Sequence, residues 1–527
     1  MTNSILELEG ANVIMVLGSN TTETHPIIAS TIKRAVHKGA TLIVVDPRKT
    51  DIAKMAHLHL RLRVGSDIPV INAMMNHIIS EGLENRAFIE EHTENYGEMK
   101  KHLEKYTPEY AEQISGVPAA AIKTAAETYA KAKAGSVCYT MGITQHICGA
   151  DNVFSLANLV MLTGQIGRPS TGLNPLRGQA NVQGACDMGA LPNVYTAYQK
   201  VDNPEAQEKF EKAWGKSLSP KPGLPMTEAF EMFGNEIKAF ICFGENPAVS
   251  EPDVGHAKAQ MGKLDFMLVM DLFKNETAEL ADVVLPCTAF AEIDGTYTNS
   301  ERKVMRVRKA VEPPGQAQTG FWIFSELAER FGYDLNCKDG QQMWDEEISL
   351  LSPSMAGIKY EGLDRQGMQW PKPTLDHPGT QYLHKDGNFT RGRGLFHVID
   401  HTEPAEMPDQ EYPFWLTTGR RLQQYHTSTQ TRRAKGLSDL LPEERMELNP
   451  EDAKKLKIKD GDRVKVRSRR GEIELHCQVT DRVPPGTVFI SFHFWEANAN
   501  VLTNTALDPK CKIPELKACA VTVAKAS

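Results

Sequence analysis

One loop of the sequence places an arginine among glycines, amides and small residues. Residues 174–189 read NPLRGQANVQGACDMG, with Arg177 near the start of the loop. Glycine carries no side chain, so the backbone of such a loop can approach a large polar ligand closely. The planar guanidinium can bind two oxygens of a carboxylate or phosphate at once. The loop therefore predicts either a bidentate anion clamp at Arg177 or a surface turn with a solvated arginine.

A second group of polar residues follows two pairs of predicted strands. ANVIMVLGSN and TLIVVDPRKT flank an amphipathic helix that Gly39 closes, and IKAFICFGENPA and LDFMLVMDLFKNET repeat the strands later in the chain. Helix starts after such turns favour phosphate, and an acid after the next strand can accept ribose hydroxyls. Each copy supplies a glycine, an asparagine and an aspartate, which are Gly18, Asn20 and Asp46 in the first and Gly244, Asn246 and Asp271 in the second.

The repeat has two interpretations. Two matched copies predict two nucleotide-like ligands, or one ligand with two such arms, whereas a structural interpretation gives two parallel sheets that bind nothing. Neither copy contains a complete GxGxxG, so a simple NAD site is disfavoured.

Composition excludes several classes of protein. The 527 residues include 59 basic and 67 acidic side chains, and this length suggests three or four domains. No basic arm or stripe with interleaved aromatics points to nucleic acid, and apolar runs such as VIMVLG are far too short to span a membrane. The nine cysteines form no CxxC pair, which disfavours a zinc ribbon or a ferredoxin-type cluster. No secretory signal is visible, and we expect a cytoplasmic protein.

The C-terminal part differs from the rest of the chain in its pattern of predicted strands. FWLTTGRRLQQYHTSTQTRR pairs a strand with a possible anion loop, and Asn449 and Pro450 are typical of a helix N-cap and first helical position. DGDRVKVRSRRGEIELHCQV predicts a β-hairpin with its turn at Arg470 and Gly471, and VPPGTVFISFHF adds another strand. This part is expected to form a small β-barrel.

Six motifs together resemble the molybdopterin oxidoreductases, and within them the formate dehydrogenases. They are GSNTTETHP, VVDPRKTDIA, MGITQHICG, NPLRGQANVQGACDMG, ADVVLPCTAFAEIDGTYTNSERKV and TTGRRLQQYHTSTQTRR, in the order found in that family. The resemblance implies an α/β fold with two Rossmann-like dinucleotide-binding domains and a C-terminal double-psi-type β-barrel. The domains it implies are a first α/β domain (1–178), a second, partial α/β domain (179–340), a connector (341–410) and the barrel (411–527).

The resemblance also implies a cofactor. Family members carry molybdenum or tungsten held by two molybdopterin guanine dinucleotides, which accounts for the two matched halves. The residues matching the first arm's site are Asn20, Glu23, Thr24, Asp46, Arg48, Gly65 and Asp67. Those matching the second arm's site are Gly244, Asn246, Asp271 and Cys287. Gln145 matches a pterin contact near the metal, and the barrel residues that match positions closing over the pterins are Arg420, Gln424, His426 and Asn500.

Two residues are implied to take part in catalysis. Arg177 matches the arginine that orients formate, so the resemblance implies reversible oxidation of formate to carbon dioxide. His146 follows Gln145 and either assists near the metal or makes a structural hydrogen bond. Two alternatives remain, namely another enzyme of the family acting on nitrate or a different oxo-compound, and a non-catalytic structural subunit. The Arg177 loop argues against the first, and the retained binding positions argue against the second.

The sequence departs from the family at its start. Family members begin with a cysteine-bound 4Fe–4S cluster and a cysteine or selenocysteine that ligates the metal, and this chain begins downstream of both. We therefore expect no metal ligand within the chain and no activity from it alone. The expected partners are formate or carbon dioxide, a missing N-terminal segment or companion chain, and an iron–sulfur electron-transfer subunit. The departure is explained either by a gene split at an in-frame UGA or by a natural two-chain enzyme.

Overall fold

A parallel sheet and a closed barrel dominate the computed structural model, which describes residues 1–335, 337 and 339–526. The strands are β1 (Val13–Leu17), β2 (Thr41–Val45), β3 (Leu58–Leu60), β4 (Thr93–Glu94), β5 (Gly135–Tyr139), β6 (Gly172–Pro175), β7 (Val194–Tyr195), β8 (Gln199–Lys200), β9 (Ala239–Phe243), β10 (Phe266–Asp271), β11 (Val283–Pro286), β12 (Gly295–Thr298), β13 (Lys303–Val307), β14 (Met368–Gln369), β15 (Gly394–Leu395), β16 (Phe414–Gly419), β17 (Arg445–Leu448), β18 (Arg463–Arg467), β19 (Glu472–Val479), β20 (Thr487–Ser491) and β21 (Cys519–Lys525).

The α-helices connect these strands. They are α1 (Thr21–Thr24), α2 (Pro26–His37), α3 (Asp67–Ser80), α4 (Arg86–His92), α5 (Tyr96–Leu103), α6 (Pro108–Ser115), α7 (Ala119–Ala130), α8 (Met141–Thr144), α9 (Gly149–Leu162), α10 (Val182–Asp187), α11 (Pro204–Trp214), α12 (Met226–Ala229), α13 (Pro247–Ser250), α14 (Val254–Met261), α15 (Gly320–Arg330), α16 (Gly340–Gln342), α17 (Ser349–Leu351), α18 (Lys435–Leu440) and α19 (Pro450–Leu456). No helix in the described ranges is long and apolar enough to cross a membrane.

Contacts divide the chain into two units. Unit 1 contains Met1–Leu176, Val249–Ala257 and Tyr382–Ser527, and unit 2 contains Arg177–Ala248 and Lys258–Gln381. Both units mix helices and strands, so the α/β prediction is confirmed. The sequence-based domain boundaries stay predictions.

The sheet of unit 1 has the strand order β3-β2-β1-β5-β6, and all its pairings are parallel. Its central strands are buried on both faces, which explains why VIMVL and TLIVV are continuous apolar runs. Successive side chains enter different cores: Met15 packs with α3, α7 and α9, whereas Val16 packs with α2. The predicted helix after β1 is present as α2, and Gly39 follows it with a φ of 100°.

The barrel of unit 1 closes six strands in the order β16-β20-β17-β19-β18-β21. The predicted hairpin is confirmed, because β18 and β19 pair antiparallel on either side of the Arg470–Gly471 turn. Asn449 caps α19 by accepting a hydrogen bond from the Glu451 N–H, and Pro450 takes the first helical position, as the sequence predicts. The core of the barrel is formed by the inward side chains of all six strands.

Unit 2 is built on a smaller parallel sheet with the order β11-β10-β9 and an antiparallel sheet with the order β12-β13-β14. The predicted strands before Gly244 and up to Asp271 are β9 and β10. Strand β10 is central and mostly buried, whereas the edge strands β9 and β11 expose several apolar side chains. The strands of the second copy therefore have the same order as β3-β2-β1 of the first copy, but their side chains are more exposed to solvent.

Candidate functional site

A turn at the carboxyl end of β1 forms the centre of the site in unit 1. Gly18 adopts a φ of 52°, and its carbonyl accepts hydrogen bonds from the Gly142 N–H at 3.0 Å and the Thr140 hydroxyl at 2.6 Å. A Cβ on Gly18 would lie 2.6 Å from the Gly142 carbonyl carbon. A Cβ on Gly142 would likewise lie 2.5 Å from the Gly18 backbone, so only glycine fits at positions 18 and 142. The contact joins the turn after β1 to the one after β5, so polar residues from both turns meet at one sheet edge.

Asn20 supplies polar atoms without partners. Its side-chain oxygen and nitrogen are both buried, as is the hydroxyl of Thr22, and none has a hydrogen-bond partner among the described residues. Thr24 donates its hydroxyl to the Asn20 carbonyl at 3.1 Å, which fixes the backbone of the turn. Buried polar atoms are almost always paired in folded proteins. The unsatisfied amide therefore fits a site that a polar ligand completes.

Two buried carboxyl groups follow along the same sheet edge. Asp46 comes directly after β2 and accepts a hydrogen bond from the Arg48 N–H at 2.8 Å, and Asp67 opens α3 after the turn at Gly65. Burial raises the pKa of Asp46 to about 6, against the effect of Arg48. Burial also raises the pKa of Asp67 to about 6. Such buried carboxyl groups can accept hydrogen bonds from hydroxyl donors such as those of a ribose.

Arg48 and Glu23 are held by a network that reaches the barrel. The Arg48 guanidinium lies 3.4 Å from the ring centroid of Phe489 and donates to both Glu447 carboxylate oxygens, at 2.8 and 2.9 Å. Arg482 lies 3.8 Å from Glu447 and donates to Glu23 at 2.7 Å. Arg48 is thus paired within the protein, and Glu447 compensates its charge.

Gln145 and His146 follow α8, after β5. The His146 Nε2 lies 3.0 Å from the Gly142 carbonyl, which can only accept, so this hydrogen bond assigns the proton to Nε2. Its Nδ1 is buried without a hydrogen bond to any described residue and lies 3.8 Å from a Glu515 carboxylate oxygen. The Gln145 carbonyl accepts from the Lys517 N–H at 3.3 Å. The structural hydrogen bond predicted as one alternative for His146 is therefore present, and Nδ1 has no hydrogen bond to a described residue.

The barrel residues divide into paired and unpaired side chains. Arg420 leaves a buried Nε without a partner in the described part of the chain, and burial lowers the pKa of this guanidinium. Burial, assisted by the Arg420 charge, lowers the pKa of His426 to about 4, which keeps the imidazole neutral. Gln424 donates to the Leu441 carbonyl at 3.2 Å, and Asn500 donates to the Val249 carbonyl at 3.0 Å.

The second copy of the repeat in unit 2 differs from the first. Gly244 has a φ of 67° after β9, with open space where a Cβ would stand. The Asn246 amide is occupied: it donates to Glu276 at 2.7 Å and accepts from the Thr277 hydroxyl at 2.7 Å. Asp271 accepts from the Asn275 amide at 2.8 Å. Burial raises the pKa of the Cys287 thiol to about 11, so this thiol is protonated at neutral pH.

The Arg177 loop is braced by the stretch EIDGTYTNSERKV, which is part of another of the six motifs. The Arg177 N–H donates to the Ser300 hydroxyl at 3.0 Å, and the Thr298 N–H donates to the Asn181 side chain at 2.8 Å. The Arg177 side chain is exposed, and its Nε donates to the Gln183 amide oxygen at 3.3 Å. Hydrogen bonds therefore join the Arg177 loop to the EIDGTYTNSERKV stretch, and the loop presents an exposed guanidinium.

Several residues at these sites were not predicted from the sequence. Glu447, Arg421 and Arg482 form the buried ion network, and Gln183 and Asp187 lie behind Arg177. A glutamate on strand β17 and arginines in the loops after β16 and β19 look like ordinary surface charges in the sequence. For Gln183 and Asp187 the sequence does contain a signal, because two residues four apart on a helix share a face and can form a hydrogen bond.

Comparison with known proteins places these features in context. Residues 1–330 match the family model described as "Molybdopterin oxidoreductase", and residues 414–520 match "Molydopterin dinucleotide binding domain". The chain is 49% identical over 526 residues to the "F420-dependent formate dehydrogenase subunit alpha" of Methanocaldococcus jannaschii, covering 99% of this chain and 78% of that protein. It is 40% identical over 531 residues to "Formate dehydrogenase H" of Escherichia coli, covering 99% and 74%.

A solved structure shares the fold. The acetylene hydratase of Pelobacter acetylenicus superposes with a TM-score of 0.78 at 19% identity, covering 99% of this chain and 81% of that one. At this identity the match describes the fold and not the reaction.

Proposed function

This chain belongs to the molybdopterin oxidoreductase family, and on that premise we propose that it is the catalytic subunit of a formate dehydrogenase. The reaction is the reversible conversion of formate to carbon dioxide with loss of two electrons and one proton. The observation that carries the proposal is the exposed Arg177 guanidinium on a loop that Ser300 and Asn181 brace. Relatives that align over almost the whole chain are named formate dehydrogenases, which supports the same substrate.

The proposed cofactor is molybdenum or tungsten with two molybdopterin guanine dinucleotides. The polar atoms of unit 1 that lack partners fit a large polar group, since the Asn20 amide and the Arg420 Nε are both buried. Each parallel sheet is proposed to be a Rossmann-like half that holds one dinucleotide arm, and the barrel is proposed to be of the double-psi type. When bound, the metal–pterin group supplies the two-electron chemistry.

The protein contributes orientation and charge compensation. Arg177 binds both carboxylate oxygens of formate and fixes the direction of the C–H bond. Asp46 and Asp67 accept hydroxyl donors of the cofactor, and the buried Nδ1 of His146 is available to a polar partner. The metal's protein ligand and the 4Fe–4S cluster are proposed to lie outside these 527 residues. An iron–sulfur partner subunit in the cytoplasm would receive the electrons.

Cofactor analysis with a formate assay tests the proposal. The protein is purified together with any companion chain, and metal content, released guanine nucleotide and formate-dependent dye reduction are measured. We expect two guanine nucleotides per metal atom and dye reduction proportional to metal. Asn20→Ala should lower cofactor content, whereas Asn193→Ala, at an exposed side chain in unit 2, should not. Full metal content without formate oxidation would reject formate as substrate, and absence of metal and nucleotide would reject the cofactor.

A further inference from the structure

A buried carboxylate lies behind the Arg177 loop. Asp187, at the end of α10, is fully buried. It accepts hydrogen bonds from the Gln183 amide at 2.7 Å, the Tyr198 hydroxyl at 2.8 Å and the Trp370 indole N–H at 2.7 Å. Burial raises the pKa of Asp187, and these donors act against that rise. Three donors from three separate segments of unit 2 therefore converge on one acid, as a buried carboxylate requires.

The acid fixes which way the Gln183 amide points. The amide nitrogen of Gln183 donates to Asp187, and it also lies 2.9 Å from the Tyr198 hydroxyl. An ionised carboxylate can only accept, so the hydrogen-bond network assigns the nitrogen of the amide to that side. The amide oxygen then faces the opposite way, where it accepts from the Arg177 Nε at 3.3 Å. Flipping the amide would place an oxygen against a carboxylate and a nitrogen against a guanidinium, and both contacts are repulsive.

The helical spacing of Gln183 and Asp187 holds the amide and the carboxylate together. Gln183 and Asp187 are four residues apart on α10 and share one face. The chain of contacts runs from the buried acid through the amide to the Nε of an exposed guanidinium, whose backbone N–H is held separately by Ser300. A hydrogen bond at Nε restricts rotation of the guanidinium plane, and bidentate recognition depends on that plane.

We propose that Gln183 and Asp187 are positioning residues that hold the Arg177 guanidinium in the orientation that binds the substrate carboxylate. The proposal rests on the function proposed above and deepens it. Neither residue touches the substrate. Asp187 sets the orientation of the Gln183 amide, and Gln183 sets the plane of the Arg177 side chain.

Four variants of the metal-loaded enzyme test this. Gln183→Leu removes the acceptor for Arg177, and Gln207→Leu removes a half-buried amide on α11 that bonds Glu211 and the Leu218 carbonyl instead. Gln183→Glu combined with Asp187→Asn exchanges the amide and the carboxylate, which restores an acceptor facing Arg177. Asp187→Asn alone leaves the amide free to flip. Formate kinetics per metal atom, melting temperature and crystal structures showing the Arg177 side chain are compared.

The expected results differ among the variants. Gln183→Leu should lower kcat/KM by roughly ten-fold at unchanged metal content, the loss of one hydrogen bond to a charged group. Asp187→Asn should also lower it, the exchanged pair should recover most of the loss, and Gln207→Leu should match wild type. Crystal structures should show Arg177 displaced in Gln183→Leu and restored in the exchanged pair.

Other results overturn the proposal. Wild-type kcat/KM per metal in Gln183→Leu, with Arg177 unmoved, would do so. A loss that follows only melting temperature or metal content, without recovery in the exchanged pair, would leave these residues a purely structural role. If the wild-type enzyme did not oxidise formate, the proposed function would fail, while the crystal structures would still decide whether the pair positions Arg177.

Discussion

The guanidinium of Arg177 differs from a lysine ammonium in shape rather than in charge. Arg177→Lys keeps the charge but loses the planar fork, so formate would be held in several orientations. Losing one charge-assisted hydrogen bond of a bidentate pair costs about 1.5–3 kcal/mol. We therefore expect kcat/KM for formate to fall about ten- to a hundred-fold. Steady-state kinetics on metal-quantified enzyme measure this.

Metal content serves as the control for Arg177→Lys. The cofactor positions proposed for unit 1 do not involve this residue, so metal occupancy should remain near that of the wild type. Arg177→Ala should be more severe than Arg177→Lys, because it removes the charge as well. Unchanged kcat/KM in Arg177→Ala would show that the guanidinium is a solvated surface group, which is the alternative that the sequence left open.

Single residues also show where sequence reasoning reaches its limit. Asn20 and Asn246 occupy the same place in the repeated pattern, and the sequence predicts the same role for both. In the structure the Asn20 amide has no partner among the described residues, whereas Glu276 and Thr277 satisfy that of Asn246. These partners lie 30 and 31 residues later in the chain, beyond α13, α14 and β10. A pattern of neighbouring residue types therefore does not predict these hydrogen bonds.

At the scale of elements, one buried ion pair joins the loop after β2 to strand β17 of the barrel. Glu447 is fully buried and accepts from Arg48. Burial acts to raise the pKa of Glu447, but the charges of Arg48, Arg421 and Arg482 outweigh it and lower the pKa. Glu447→Gln leaves these arginines without their counter-charge. We expect the free energy of unfolding of unit 1 to fall by about 3–5 kcal/mol at neutral pH, measured by chemical denaturation.

The effect of Glu447→Gln on the free energy of unfolding should depend on pH in a definite direction. A carboxylate whose pKa is lowered on folding contributes stability above its unfolded pKa, about 4.3 for glutamate. That contribution is lost as the pH falls through the lower, folded pKa. The difference between wild type and Glu447→Gln should therefore be constant near neutrality and shrink in acid. Glu474→Gln is the matched control, since its pairs with Arg463 and Lys465 on the neighbouring strand β18 are exposed and should contribute little. Equal effects of the two substitutions would contradict the prediction.

Elements were predictable where the pattern is local. Continuous apolar runs identified β1, β2 and β10, and alternation across Arg470 and Gly471 identified the β18–β19 hairpin. The barrel order β16-β20-β17-β19-β18-β21 was not accessible in the same way. It depends on pairings between distant strands, such as β16 with β20, which no short-range pattern encodes. The Arg48–Glu447 pair depends on the same long-range arrangement.

At the scale of the whole molecule, the chain does not fold in consecutive blocks. Unit 1 takes its first 176 residues, a short middle segment and everything from Tyr382 onward, and unit 2 takes the rest. The domains that the resemblance implies are consecutive along the chain, and their boundaries stay predictions. Spatial units depend on which distant segments pack together, and the strands of unit 1 come from both ends of the sequence.

The small sheet of unit 2 has an apolar edge. In β9, Ile241 and Phe243 are 47% and 48% exposed, and this strand has no partner on its outer side among the described residues. An exposed apolar edge strand is a template for pairing with another chain. The 527-residue chain at high concentration is therefore expected to associate through this edge, as detected by sedimentation velocity. Lysine on an edge strand opposes such pairing, so Ile241→Lys should shift the protein toward monomer.

A matched substitution separates this edge from general surface charge. Ile27 on α2 is 77% exposed but lies on a helix of unit 1, where no strand edge is available for pairing. Ile27→Lys adds the same charge and removes as apolar a side chain, so it should leave association unchanged. If the two lysine variants reduced association equally, net charge rather than the β9 edge would be responsible. Retained association in Ile241→Lys at unchanged melting temperature would show that the chain pairs through a different surface.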